Sequence, residues 1–196
     1  MNLFGFIPDF HGSSKSSKVK YIRMTLFAHT PVRSTAGSAG YDMAVCMEVD
    51  PELQKSPYAN MNLNNIKIMD GSALLQKDGY IKCMGGIILM PNATVKIHTG
   101  IKMEIPKGYC GLLMNRSSLA NNYRLTLCDN VGLIDSDYRG EITLKLHNGS
   151  DAIRFIMNGE RICQMVFIKY NELEFDEVET LSETSRGEGG FGSTGR

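Results

Sequence analysis

The feature that most limits what this chain can become is a two-residue alternation of apolar and polar side chains, repeated in separate runs. No long helical pattern takes its place. Val95 and Ile97 alternate with Lys96 and His98, and Ile142, Leu144 and Leu146 alternate with Thr143, Lys145 and His147. Ile22, Met24 and Leu26 alternate in the same way with Arg23 and Thr25. Successive side chains of a strand point to opposite faces, so each run reads as a strand with one face buried. Turn-forming groups separate the runs: Pro91-Asn92, Pro106-Lys107-Gly108 and Asn148-Gly149-Ser150. Twenty glycines in 196 residues point the same way. The expected class is all-β, with one short helical turn near residues 117–122.

Bulk composition mostly excludes. A chain of 196 residues suits one domain, or at most one domain with an insertion. Lys plus Arg (21) equals Asp plus Glu (21), for a formal net charge of zero. A protein that collects nucleic acid by its overall field would show a basic excess, so no nucleic-acid partner is expected. Any anion must be held by local geometry. No apolar run approaches the ~18 residues of a membrane span, and the first residues lack the pattern of a signal peptide. Neither a membrane nor secretion is expected. Five scattered cysteines without a CxxC pair read as reduced thiols of a cytoplasm-like compartment. With four scattered histidines as well, a metal taking part would be a hard cation on oxygen ligands.

Three segments stand apart from the core pattern. Residues 1–18, with HGSSKSSK at their end, read as a flexible leader. Residues 50–83 read as an insertion of polar turns. Residues 182–196 (SETSRGEGGFGSTGR) are too rich in Gly, Ser and Thr to bury much apolar surface. The main domain is expected over 19–181.

Five motifs carry chemistry, and each has a plainer alternative. The tail contains Gly187, Gly189 and Gly192 at GxGxxG spacing, but no apolar strand precedes them and no helix can follow, so a dinucleotide fold fails. What remains is a solvated end, or a backbone able to wrap phosphates, with Arg186 for a terminal phosphate and Phe191 for a base. NRSSLA (115–120) is a serine-capped helix with a surface arginine, or an anion site of one guanidinium and two hydroxyls. NVGLIDSDYRGEI (130–142) is a polar turn, or a strand that delivers Asp135 as a partly desolvated base. Asp137 and Glu141 lie close enough in sequence to join Asp135 around magnesium. STAGSAGYDMAV (34–45) brings small residues and Asp42 close to a ligand or subunit. GERICQMVF (159–167) sets Arg161 and Gln164 in an apolar strand, where both need partners.

Taken in order, AGYDMA, NRSSLA, VGLIDSDYRGEI, GERICQM and RGEGGFGSTG closely resemble the five blocks of the trimeric dUTP pyrophosphatase (dUTPase) family. TGIKMEIPKGYCG (99–111) is similar to the family segment ahead of the second block. The resemblance implies a jelly-roll-like β-barrel with one short helix and a flexible C-terminal tail. It implies a homotrimer with its sites at subunit interfaces, and cleavage of dUTP to dUMP and pyrophosphate with Mg2+ held mainly by substrate phosphates and waters. Asp135 resembles the water-activating carboxylate, and Tyr138 the aromatic packed on deoxyribose. Arg116, Ser117, Ser118 and Gln164 resemble phosphate-binding groups. Asn130 and Gly132 belong to a hairpin, roughly 125–133, whose backbone reads uracil. In the tail, Arg186 would meet the γ-phosphate, Phe191 would lie over uracil, and Gly192, Ser193 and Thr194 would complete the phosphate wrap. Asp42 and Arg161 look like supporting groups.

Three features depart from that pattern: the length of 50–83, Asn115 where proline or glycine is commoner, and Asp129 in the uracil hairpin. The related dCTP deaminases resemble the chain at RSSLA. Their catalytic glutamate would fall at Lys145, which argues against deamination. A binding or regulatory protein on the same fold is the reading from another class. The presence of Asp135 and of the tail favours an enzyme. The cytoplasm is the default location, and a nuclear or virus-encoded setting is equally compatible.

Overall fold

The two cleanest alternating runs lie side by side. Strands β5 (Thr94–Glu104) and β9 (Glu141–Asn148) pair antiparallel, with Val95 opposite Leu146 and Ile97 opposite Leu144. Their inward residues Val95, Ile97, Ile142, Leu144 and Leu146 are all buried, as the period predicts. The structure is a computed structural model that describes residues 18–52, 80–83 and 85–190. The leader up to residue 17, most of the expected insertion and residues 191–196 lie outside the described residues.

The class is all-β. The remaining described strands are β1 (Lys20–Arg23), β2 (Tyr41–Ala44), β3 (Tyr80–Cys83), β4 (Gly86–Leu89), β6 (Tyr109–Asn115), β7 (Leu125–Leu127), β8 (Val131–Ile134), β10 (Arg154–Met157) and β11 (Arg161–Lys169). They form sheets in the orders β1-β5-β9-β7, β10-β4-β3 and β2-β11-β6-β8, with every ladder antiparallel. Among the described residues no ladder closes these sheets into one barrel. Hydrogen bonds at the corners join them instead. The Cys46 amide donates to the His98 carbonyl at 2.8 Å, and the buried Asn148 side chain donates to Leu89 and Met90 carbonyls at 3.2 and 3.0 Å. One apolar cluster fills the space between, from Met43 and Val45 through Ile87 and Leu89 to Met165.

The helix falls where expected, as α1 (Ser117–Tyr123), and Arg124 ends it in the left-handed region at φ 53°. Turns at Asn92 (φ 60°) and Gly108 (φ 82°) also match the sequence. Two expectations fail. Ile22, Met24 and Leu26 do not face the core; they are exposed, because β1 is an edge strand and the chain leaves it at Arg23. His98 is buried, although alternation points it outward. A bulge lets His98 pair with Thr143 while Lys102 pairs with Glu141, so three residues stand opposite Ile142 alone and the facing shifts. After Lys169 the described chain has neither strand nor helix, and residues 170–190 are almost wholly exposed.

Candidate active site

Asp42 anchors the first half of the site. It lies in β2, hydrogen-bonded to β11, so its carboxylate faces Arg161 at the start of β11 and Arg116 just beyond β6. Arg116 Nε donates to Asp42 Oδ1 at 3.0 Å, Arg161 donates to Oδ2 at 2.9 Å, and Ser34 Oγ donates to Oδ2 at 2.9 Å. A second Arg116 nitrogen donates to the Arg161 carbonyl at 2.9 Å. The carboxylate is buried, and paired charges with several hydrogen bonds offset its desolvation. The guanidinium of Arg116 is thereby held in one orientation before any ligand arrives.

Gln164 joins from the neighbouring position of β11, donating to the Asn115 carbonyl at 3.1 Å. A Cβ on Gly40 would sit 2.6 Å from Gln164 Oε1, so only glycine leaves that amide its place. Asn115 uses its side-chain oxygen to accept the Leu127 amide at 2.7 Å, tying β6 to β7, which gives this unusual residue a structural task. Ser117 and Ser118 open α1 beside Arg116 and are exposed. Arg116, not a serine, occupies the helix-cap position, and no side chain caps the helix. Beneath the pair, burial and then the charge of Asp42 push the Cys163 thiol up to about 12, so it is an inert neighbour rather than a nucleophile.

Asp135 and Tyr138 form the second half. Asp135 follows β8 and is exposed, so the partial desolvation expected at the end of an apolar strand is absent in the single chain. The apolar residues ahead of it, Val131 and Leu133, are themselves exposed, because β8 is an edge strand. The Tyr138 amide donates to the Asp135 carbonyl at 3.3 Å, and its hydroxyl donates to the Glu141 carbonyl at 3.0 Å, which lays the ring over Gly140. Asp135, Asp137 and Arg139 share an open recess with Glu104, Lys107 and Tyr170. Glu141 is turned away into the fold, so the trio of Asp135, Asp137 and Glu141 does not assemble. Among the described residues no group of three or more acidic, His or Cys side chains is arranged for a metal.

The two halves stand at opposite ends of one ladder. Met114 pairs with Val131 and Gly111 with Ile134, so Arg116 leaves one end of β6 while Asp135 leaves β8 at the other. The five residue steps from Gly111 to Arg116 correspond to about 17 Å of strand. Asn130 stands at the arginine end, in a turn at φ 57° where its amide donates to the Leu127 carbonyl at 3.3 Å. Gly132 lies mid-strand, close against Leu113. The expected uracil hairpin is not a two-stranded ladder here. β7 pairs with β9 and β8 with β6, so the turn between them carries the chain from one sheet to another. Arg186 is exposed in the terminal segment, its Nε donating to the Gly189 carbonyl at 2.7 Å. Phe191, Gly192, Ser193 and Thr194 lie outside the described residues.

Sequence reasoning missed Ser34 as a partner of Asp42. It also missed a charged cluster of Asp50, Glu52, Lys82 and His98. Lys82 was visible as a lone charge in the short apolar run Tyr80-Ile81-Lys82-Cys83, but nothing in the sequence paired it with Asp50.

The fold and site define the class of an all-β protein with two arginines fixed on one buried carboxylate and a second, exposed carboxylate apart from them. The dUTPase family model matches residues 81–195. The chain belongs to the dUTPase family. It is 49% identical over 109 residues to the deoxyuridine 5'-triphosphate nucleotidohydrolase of Finegoldia magna, covering 56% of this chain and 76% of that protein. Against the protein of the same name from Anaplasma marginale it is 41% identical over 118 residues, covering 60% and 80%. The fold is similar to the dUTPase of Staphylococcus bacteriophage 80alpha, solved with dUPNHPP, at TM-score 0.63 and 22% identity over 91% of this chain and 99% of that one. It is also similar to a mutant dUTPase from phage phi11 of S. aureus, solved for the coordination of a structural Mg(II) ion, at TM-score 0.58 and 20% identity over 85% and 99%.

Proposed function

We propose that this protein cleaves dUTP to dUMP and pyrophosphate, and that it does so as a homotrimer whose sites draw residues from neighbouring copies. The observation that carries the shared site is the separation of Arg116 from Asp135 along one ladder. A triphosphate cannot meet both within one chain, whereas apposed copies bring one chain's arginine end to another's carboxylate. The relatives named above support the reaction.

In this reading Arg116, fixed by Asp42, neutralises phosphate oxygens together with Ser117, Ser118 and Gln164. Asp135 orients the attacking water and takes its proton as oxygen bonds to phosphorus. A neighbour's surface excludes bulk water around Asp135, which strengthens its interactions there. Tyr138 packs on deoxyribose, and backbone around Asn130 and Gly132 reads the base. The terminal segment closes over the nucleotide through Arg186, Phe191, Gly192, Ser193 and Thr194. Magnesium would be held by the triphosphate rather than by side chains of this protein, and would supply charge neutralisation there. Both oxygens of Asp42 are already engaged by arginines, and no carboxylate cluster is arranged to hold the ion among the described residues. The domain limits follow the same logic: a body over 19–181, interrupted near 50–83, and a closing tail over 182–196. Free thiols at Cys46, Cys110, Cys128 and Cys163 support a reducing compartment such as the cytoplasm, and no helix among the described residues is long and apolar enough to cross a membrane.

The test is pyrophosphate release from dUTP, dTTP, dCTP and UTP, with light scattering on the same sample. Fast release from dUTP alone, by a particle of three chains, is expected. Equal rates on dUTP and dTTP would reject the specificity, and a fully active monomer would reject the shared site.

A further inference from the structure

Glu141 directly follows the Tyr138 turn, and its carboxylate points away from that turn into the bulge of β5. One oxygen accepts the Gly100 amide at 2.8 Å, and the other lies 2.7 Å from His98 Nδ1. Gly100 sits at φ 67°, with its virtual Cβ position only 2.8 Å from Ala28, so the bulge has little freedom to move. The backbone carbonyl of Glu141 itself receives the Tyr138 hydroxyl at 3.0 Å. Glu141 is thus held at its side chain by the rigid bulge and holds Tyr138 at its backbone.

The other nitrogen of His98 faces Asp50 Oδ1 at 3.9 Å, and Asp50 Oδ2 meets Lys82 Nζ at 2.8 Å. Lys82 also meets Glu52 at 2.8 Å, and the Tyr80 hydroxyl donates to Glu52 at 3.1 Å. Asp50 and Glu52 precede residues 53–79, and Tyr80 and Lys82 follow them. The charged cluster therefore clasps the neck of that segment. Lys82 and Asp50 are almost wholly buried, where such pairs are strong only if every group keeps its partner.

We propose that Glu141 is a positioning residue for Tyr138, and that the neck of the 53–79 segment reaches the substrate turn through Asp50, His98 and Glu141. The proposal rests on Tyr138 as the residue beneath deoxyribose.

Steady-state kinetics on dUTP and UTP test it, with hydrogen exchange of residues 135–141 as a readout independent of turnover. Glu141→Ala is expected to raise KM for dUTP about tenfold while kcat stays within about threefold, in keeping with loss of orienting hydrogen bonds. Preference for dUTP over UTP should narrow, and exchange in the turn should quicken. Glu141→Gln, which keeps an oxygen for the Gly100 amide, should restore most of the loss. The KM effect of Glu141→Ala should shrink in a Tyr138→Phe background, because both act on one contact. Asp50→Asn should shift KM in the same direction by about twofold to threefold. Native KM and native exchange in a folded Glu141→Ala variant would overturn the proposal, as would an undiminished effect in the Tyr138→Phe background. If Glu141→Ala does not fold, His98→Gln carries the same test, since the Gly100 contact survives in it. Absence of dUTP turnover by the native protein would overturn the proposed function, while the exchange experiment would still decide whether Glu141 positions the turn.

Discussion

The two ends of the β6–β8 ladder are built to different standards. At the arginine end, Asp42 is 8% exposed and pairs with both Arg116 and Arg161 within one chain. At the other end Asp135 is exposed, on an edge strand whose apolar residues are also uncovered. Holding phosphate needs donors fixed in advance, and a chain can fix them alone by burying their counter-ion. Activating water needs a carboxylate shielded from bulk solvent, and an edge strand cannot supply that shield. In the proposed trimer, one end is finished by folding and the other is completed by a neighbouring copy.

The sharpest way to break this contrast is Asp135→Asn. It keeps the shape and removes the base, so kcat for dUTP should fall by about three orders of magnitude with little change in stability. Near-native kcat would remove Asp135 from the water-activating role. Asp42→Asn tests the finished end. Two arginines lose their counter-ion, and urea unfolding should show a loss of about 2 kcal/mol, below the range for fully buried pairs because Arg161 is half exposed. Unchanged stability would mean that the pairs are dispensable to the fold. Gly40→Ala is subtler: its methyl must displace the Gln164 amide, and KM should rise about threefold while the fold persists. An unchanged KM would show that Gln164 need not sit where it does.

The smallest expected effect is on acid stability, and it belongs to Glu52 in the clasped neck and to Glu141 beside the Tyr138 turn. The hydrogen bond from Lys82 holds the Glu52 carboxyl below the ordinary 4.5, against a smaller upward push from burial. At Glu141 burial pushes upward, but the hydrogen bonds from His98, Gly100 and Thr99 and the attraction of His98 together outweigh it, and the net shift is again below 4.5. Groups depressed in the folded state contribute stability above the unfolded value, and that stability is lost as pH falls through the lower, folded value. The melting temperature should therefore hold steady above pH 4.5 on account of these groups and decline beneath it. Glu141→Gln should shallow that decline, and an identical acid limb would contradict the sign.

Much of this was legible in the residues. Ile97, Ile142 and Leu146 declared their inward faces by period alone, and the turns at Asn92 and Gly108 declared themselves by composition. The resemblance singled out Asp42, Arg116, Arg161 and Gln164 from three separate motifs, and the fold brings them together. Ile22 and Leu26 misled because alternation reports two unlike faces without saying whether either is covered. His98 misled because a single bulge reverses facing, and the sequence marks that bulge only by Gly100. The trio of Asp135, Asp137 and Glu141 misled because closeness along the chain says nothing about direction.

The sequence by itself determined the class, the strands and the chemical groups that the protein carries, because period, turn residues and donor types are local properties. Only the tertiary structure decided which groups meet. Asp42 finds its arginines because β2 and β6 flank the same strand, β11. Asp135 stands far from them because β8 runs antiparallel to β6 and leaves at its far end. Glu141 faces inward because a bulge offers it an amide and an imidazole. Such pairings depend on sheet order and register, which join residues remote in the chain and leave no mark in its local pattern.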